Sequence, residues 1–359
     1  MIKRSVVFVA ALLVLCSVSF AWSAKEHILL ARCAARGLLE NPAVPADMKQ
    51  WLREAQPLLG DMESERQFLI SGRVGTNPHG VDGLAFWAVF PDLIGREQKT
   101  APWGIAEGQL HFIDLEHFMP KVADRTFAAD LSHKPKLQDI PRDAKDTRWA
   151  KAGMLPFRLE NCYQQTVKHL RAGRLMDKPG VFPRDEHAVK WAGMLAHYAA
   201  DNTMPMHATA GYQAASFFAG ISNAPKVHFD MEYKLIDDDR VDYPQIRQAL
   251  WEAFVAELKS VPAADAEGDV WAASVKISLG SYDALPLIGQ AARAAYLDDS
   301  GKLKPFDADA FVNYSGEVAG LKTTLLQMKA HQWALATKWI EAVWLQAWRD
   351  AHTPAGQAN

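Results

Sequence analysis

The chain has 359 residues, 49% of them hydrophobic and 23% charged, with a formal net charge of −3 at pH 7. That balance suits a globular chain with a large core. It excludes a basic protein that binds a nucleic-acid backbone through charge alone, and no internal repeat is visible.

The amino terminus differs from the rest. Lys3 and Arg4 precede an apolar run from Val6 to Leu15, and Ser19-Phe20-Ala21 closes the segment with small residues at its first and last positions. Residues 1–21 read as a secretory signal peptide cleaved after Ala21, leaving Trp22 first in a mature domain of residues 22–359. Cys16 lacks the small residue before it that a lipoprotein site requires. The run is short for a membrane span, and no second stretch is long enough to be one, so the mature protein is expected to be secreted or periplasmic without an anchor. Cys33 and Cys162 remain after processing and could pair in an oxidising compartment.

Ala24 to Glu40 has helical periodicity and stops at Asn41-Pro42, and a second helix is expected over Ala46 to Leu58. Gly72 to Gly108 reads as a long loop, with turn signals at Asn77-Pro78, Phe90-Pro91-Asp92 and Pro102-Trp103-Gly104. After Leu110-His111-Phe112-Ile113-Asp114 a lysine-rich connector runs to about Trp149. Helices are expected over Leu155–Ala172, Glu186–Asp201, Val227–Ile236 and Tyr243–Ser260, with a small apolar loop from Gly211 to Pro225 carrying Phe217-Phe218. Long amphipathic patterns cover Trp271–Tyr296 and Glu317–Ala351. No sheet-like alternation appears. The expected fold is all-α: one mostly helical domain with long loops.

The chemistry concentrates in Trp191–His207, WAGMLAHYAADNTMPMH. His197 and Asp201 are four apart on one helix face, Pro205 ends the helix, and His207 follows beside its end. A second four-residue pair stands at His228 and Glu232. Such pairs arise by chance among 12 histidines and 42 acidic residues, so each alone is also readable as a solvated surface pair. Their occurrence together, with His27 five residues after Trp22 and with the His111-Phe112-Ile113-Asp114 stretch, points to a metal centre. The remaining histidines lack ligand partners at helical spacing and read as solvated or capping residues, with His117 also readable as a neighbour of the centre.

With these residues the chain, from Trp22 to about Glu232, resembles the superfamily that joins bacterial zinc-dependent phospholipases C with fungal single-strand-specific zinc nucleases. The resemblance implies a helical fold around three zinc ions. One would take the Trp22 amine and carbonyl with His27, and a second Asp92, His111 and His197, with Asp201 bridging the two. The third would take His207, His228 and Glu232. It further implies a phosphodiester hydrolase in which zinc-activated water attacks phosphorus. Three dications outweigh the carboxylates of Asp92, Asp201 and Glu232, leaving a cationic centre suited to a phosphodiester in an acidic protein. Arg96, four residues past Asp92, is a candidate phosphate contact and equally readable as a surface arginine.

Phospholipid and single-stranded nucleic acid both remain candidate substrates, and no protein partner is expected. Glu232 and Pro205-Met206-His207-Ala208 resemble the phospholipase branch, which the reading favours and which would allow peripheral lipid contact. The Trp22–His27 spacing, and Phe112 and Asp114 as base-contacting residues, resemble the nuclease branch. Lys25 stands where the phospholipases' choline-binding glutamate would be, with Glu26 one position away. Phe217-Phe218 suits an acyl chain, a base or the core. A secreted helical zinc-binding protein without turnover is the alternative from another class.

Overall fold

Ser23 opens the first helix, α1 (Ala24–Glu40), through a capping box: its side chain accepts from the Glu26 N–H, and the Glu26 carboxylate accepts from the Ser23 N–H. In this computed structural model, residues 22–72, 83–118, 134–145, 148–175, 186–238, 243–266 and 268–353 are described. The signal-peptide reading of residues 1–21, and the histidines at 79 and 133, fall outside them. The structure is mostly helical, as the periodicity predicts.

Helices α2 (Ala46–Ala55) and α3 (Met62–Ser71) follow, then α4 (Gly83–Leu93), α5 (Leu155–Arg171) and α6 (Ala188–Thr203). After the site segment come α7 (Pro244–Ser260), α8 (Val270–Tyr282), α9 (Leu285–Tyr296) and α10 (Ala308–Val312). The hairpin β1 (Ser315–Val318) and β2 (Leu321–Thr324) then leads into α11 (Leu325–His352). Helix α6 lies in the middle: α4 and α5 pack against it, and α1, α8 and α11 complete its surroundings. Its residues from Ala192 to Thr203 are all buried.

Gly193 allows the α4–α6 approach, since a Cβ there would come within 2.3 Å of the Trp87 Cβ and 2.8 Å of the Leu84 carbonyl oxygen. From the other side, the Trp344 indole N–H of α11 donates to the Ala192 carbonyl at 2.8 Å. One apolar core runs from Trp22 to Trp348 and takes in Trp333, Trp339 and Trp344. Phe218 is buried within it, and Phe217 packs at its edge.

Several sequence expectations need correction. Gly83–Leu93 is a helix inside the stretch read as a long loop, and Met62–Ser71, for which no element was expected, is a helix too. The run Leu84–Phe90 is apolar on most sides because α4 lies between α1 and α6, and Pro91 comes so late that little of the ladder is lost. Trp271–Tyr296 divides into α8 and α9, where Pro286 starts a new helix. The hairpin before α11 replaces the first turns of the pattern read over Glu317–Ala351. Its turn places Ala319 and Gly320 at φ 49° and 83°, the left-handed pair of a type I′ turn, and its strands are too short for visible alternation. Cys33 and Cys162 are both buried and unpaired. Among the described residues no helix is long and apolar enough to cross a membrane.

Candidate metal centre

The buried half of α6 presents His197 and Asp201 on one face, as their spacing dictates. His197 Nδ1 donates to the Ala88 carbonyl of α4 at 2.7 Å, which fixes the ring and turns Nε2 inward. There Nε2 lies 3.2 Å from Asp201 Oδ2 and 3.0 Å from His111 Nδ1. Helix α1 brings His27, stacked on His197 with ring centroids 4.0 Å apart. Asp92 comes from the last turn of α4 rather than from a loop, its side chain 6% exposed.

The metal fit can be tested on unpaired atoms. His27 Nε2, Asp92 Oδ2 and Asp201 Oδ1 are all buried without a hydrogen-bond partner. They converge, with His27 Nε2 3.7 Å from the Asp92 oxygen and 3.5 Å from the Asp201 oxygen. Two ligands on one tetrahedral ion, each about 2.1 Å from it, would be about 3.4 Å apart. His27 Nε2 therefore stands from each carboxylate oxygen at the spacing of two ligands on a shared cation. His111 Nδ1 adds a contact of 3.0 Å to Asp201 Oδ2, so the two oxygens of Asp201 face different histidines.

Downstream of α6 the chain leaves the helix at Met204, and Pro205–Ala208 forms a short 3-10 turn carrying His207. His207 Nδ1 donates to the His111 carbonyl at 2.7 Å, and the Ile113 N–H donates to the His207 carbonyl at 2.8 Å. This pairing sets a second ligand group beside the first. His228 lies in a short helix, Val227–Phe229, which widens to a π turn over Asp230–Lys234 and carries the buried Glu232. His228 Nε2 bonds Glu232 Oε1 at 2.6 Å, and His207 Nε2 lies 3.7 Å from the same oxygen.

Three groups of side chains can thus hold metal ions: His27 with Asp92 and His197; His111 with His197 and Asp201; and His207 with His228 and Glu232. Eight of the nine ligand candidates are gathered here. The ninth, Trp22, is fully buried at the start of α1, its indole N–H donating to the Ala200 carbonyl at 2.8 Å, one residue before Asp201.

Electrostatics mark the centre as hostile to bare charge. Burial pushes Asp92 up to about 6 and Glu232 well above the usual carboxylate range. Burial likewise holds His27 and His228 well below the usual imidazole range and brings His207 down to about 4. Burial also pulls His197 down, but the Asp201 and Asp92 carboxylates outweigh it and lift that ring to about 9. Asp201 resists burial, because His197 and His111 hold it well below the ordinary carboxylate value.

Arg96 lies exposed on the turn after α4, and its charge is felt by both Asp92 and His228. Phe112 and Asp114 are half-buried; the Phe112 carbonyl accepts from the Leu155 N–H at 3.1 Å, and the Asp114 N–H donates to Ala152 at 2.6 Å. Gly153, at φ 82°, permits that approach, since a Cβ there would be 2.2 Å from the Phe112 carbonyl oxygen. His117 Nε2 lies 4.0 Å from the Asp114 carboxylate. His187 caps α6, and His331 and His352 bond Glu257 and the Trp348 carbonyl.

Glu107 escapes the sequence reading. It is buried, accepts hydrogen bonds from Tyr198 and Thr100, and lies 3.9 Å from His111 Nε2. Its place four residues before His111 was the available signal, and the carbonyl of Ala88 had none. No family model matches this chain, and no curated protein matches it.

Proposed function

We propose that the chain is a secreted or periplasmic zinc-dependent phosphodiester hydrolase of the phospholipase C kind. The observation that carries this reading is the double use of His111: its ring faces Asp201 and His197, while its carbonyl holds His207. Ligand groups joined in this way would act on one phosphoryl group together. Zinc, when bound, supplies Lewis acidity and an activated water.

The residues contribute in distinct ways. Asp201 offers one oxygen toward His27 and the other toward His111, the disposition of a bridge. Ala88 and His111 carbonyls fix the rings of His197 and His207, so the inward nitrogens are preorganised. His207, His228 and Glu232 would hold the third ion, and His27 with the freed amine of Trp22 one of the first two. Arg96 is the side chain suited to bind a phosphoryl oxygen from the solvent side.

The first helix gives no support to choline selectivity. Lys25 Nζ donates to the Ile236 carbonyl at 3.0 Å, and Glu26 is buried against Lys329 at 2.6 Å. Neither offers a carboxylate to a quaternary ammonium. A single-strand-specific nuclease is the second reading, favoured by half-buried Phe112 beside Asp114, a pair able to stack on and hydrogen-bond a base. The mature zinc-loaded protein should be incubated with phosphatidylcholine, phosphatidylethanolamine, single-stranded DNA and RNA side by side. Diacylglycerol release supports the first reading and nucleotide release the second. Bound zinc with none of them cleaved would instead mark a non-catalytic zinc protein.

A further inference from the structure

Helix α11 supplies no ligand, yet it places a buried ammonium directly behind the centre. Lys329 is 3% exposed. Its Nζ lies 2.6 Å from Glu26 Oε1, donates to the Met231 carbonyl at 2.7 Å, and stands 4.5 Å from the centroid of the Trp22 ring. Glu26 is held in turn by the Trp333 indole N–H at 3.0 Å and by the Ser23 N–H at 2.8 Å. Glu26 immediately precedes His27, and Met231 immediately precedes Glu232. One ammonium therefore grips the residue next to a ligand in each of two groups that are remote in sequence, through the Glu26 side chain in one and the Met231 backbone in the other.

Taking an ammonium and a carboxylate out of water costs several kcal/mol each, and an apolar pair of similar volume is often as stable. The pair is thus a poor device for stability alone. It is a good device for position, because the ammonium has only three protons and each contact it makes fixes a direction. Trp22, Glu26 and Met231 converge on it from two chain segments more than two hundred residues apart. An aliphatic replacement would keep the volume and lose the directions.

We propose that Lys329 is a positioning residue, which locks the starts of the His27 and Glu232 segments together so that the two ligand groups bind metal as one unit. The proposal rests on the reading that these groups bind metal. It assigns to the carboxy-terminal helix a role beyond filling the core.

The test uses the full mature chain stripped of metal and titrated with Co²⁺, read by visible absorption, and with Zn²⁺ by chelator competition. Glu26→Gln is nearly isosteric and keeps the helix cap, while Glu26→Gln with Lys329→Met removes both charges so that neither is left buried alone. Circular dichroism and thermal unfolding report the fold. The double variant is expected to unfold near the wild-type temperature but to bind Co²⁺ about 10–100-fold more weakly, with a changed absorption band. Glu26→Gln should lose affinity mainly at the ion held by His27, with Lys329 still bonded to Met231. Wild-type affinity and spectrum in either folded variant would overturn the positioning role while leaving the metal reading intact. A wild-type protein that takes up no Co²⁺ or Zn²⁺ would instead overturn the metal reading itself, and this proposal with it.

Discussion

His207 donates its Nδ1 proton to the backbone carbonyl of His111 across 2.7 Å, so one ligand group is anchored on the main chain of another. The carbonyl belongs to a residue whose own ring faces Asp201 at 3.0 Å. A shift in either segment must therefore move both groups. This coupling makes each ligand's replacement informative about the whole centre.

Asp201→Asn is expected to reduce hydrolysis by more than about 100-fold, since even residues outside the ligand set cost 10–100-fold in such centres. The amide keeps the volume but presents an N–H₂ where one of the two oxygens now faces His27 or His111. Helix content should stay near wild type, and total bound zinc should fall. Near-normal turnover in that variant would remove Asp201 from the bridging role.

Gly193→Ala should destabilise the fold by about 1–3 kcal/mol, the usual cost of overpacking. The added methyl would meet the Trp87 Cβ and the Leu84 carbonyl, so α4 must move away from α6. That movement carries Ala88, which orients His197, and Asp92, which faces His27. Metal affinity should therefore drop together with the unfolding temperature. An unchanged affinity at lowered stability would show that the α4 carbonyl does not matter to the centre.

The sequence made α1, α5, α6 and α7 legible through their apolar periodicity, with proline stops after α1 and α6. It hid α4, since a helix buried on most sides has no amphipathic contrast and Pro91 mimics a loop signal. The His197–Asp201 and His228–Glu232 pairs were readable from helical spacing. Their convergence with His27 and Asp92 was not, because it is made by helix packing between segments distant in the chain. Lys329 meets Glu26 and Met231 across such packing too, which is why nothing in the local sequence points to it.

One extra residue ahead of Trp22 should cost the protein one zinc of its complement. The Trp22 indole is fixed by Ala200, so the backbone at that position has little freedom to swing away. A peptide nitrogen there cannot bind as an amine does. Metal analysis of the extended protein and of one beginning at Trp22 decides the matter, and equal zinc content would exclude a terminal-amine ligand.

Metal uptake should depend on pH through His197 and Asp92, in addition to the proton that burial keeps on Glu232 beyond its usual range. Zinc requires neutral imidazoles and ionised carboxylates, so binding expels whatever protons the metal-free centre still holds. His197 stands at about 9, raised by its carboxylates against burial, and is protonated in the metal-free protein at neutral pH. Asp92 stands at about 6, raised by burial, and is ionised only above that value. For Asp92 the sign is that of a raised acid: its protonation favours the metal-free fold below its usual range, and that contribution is lost as pH rises through about 6. A His197 raised in the fold stabilises the metal-free protein below its ordinary value, and this contribution is lost as pH rises through about 9. Both changes favour the loaded form as pH increases. Between pH 6 and 9 binding should release about one proton from these two groups, and below 6 about two. Calorimetry in buffers of different ionisation enthalpy counts those protons, and thermal unfolding with and without zinc should show a gap that widens from pH 5 to 8. A gap that narrows over that range would rule out this assignment of the titrating groups.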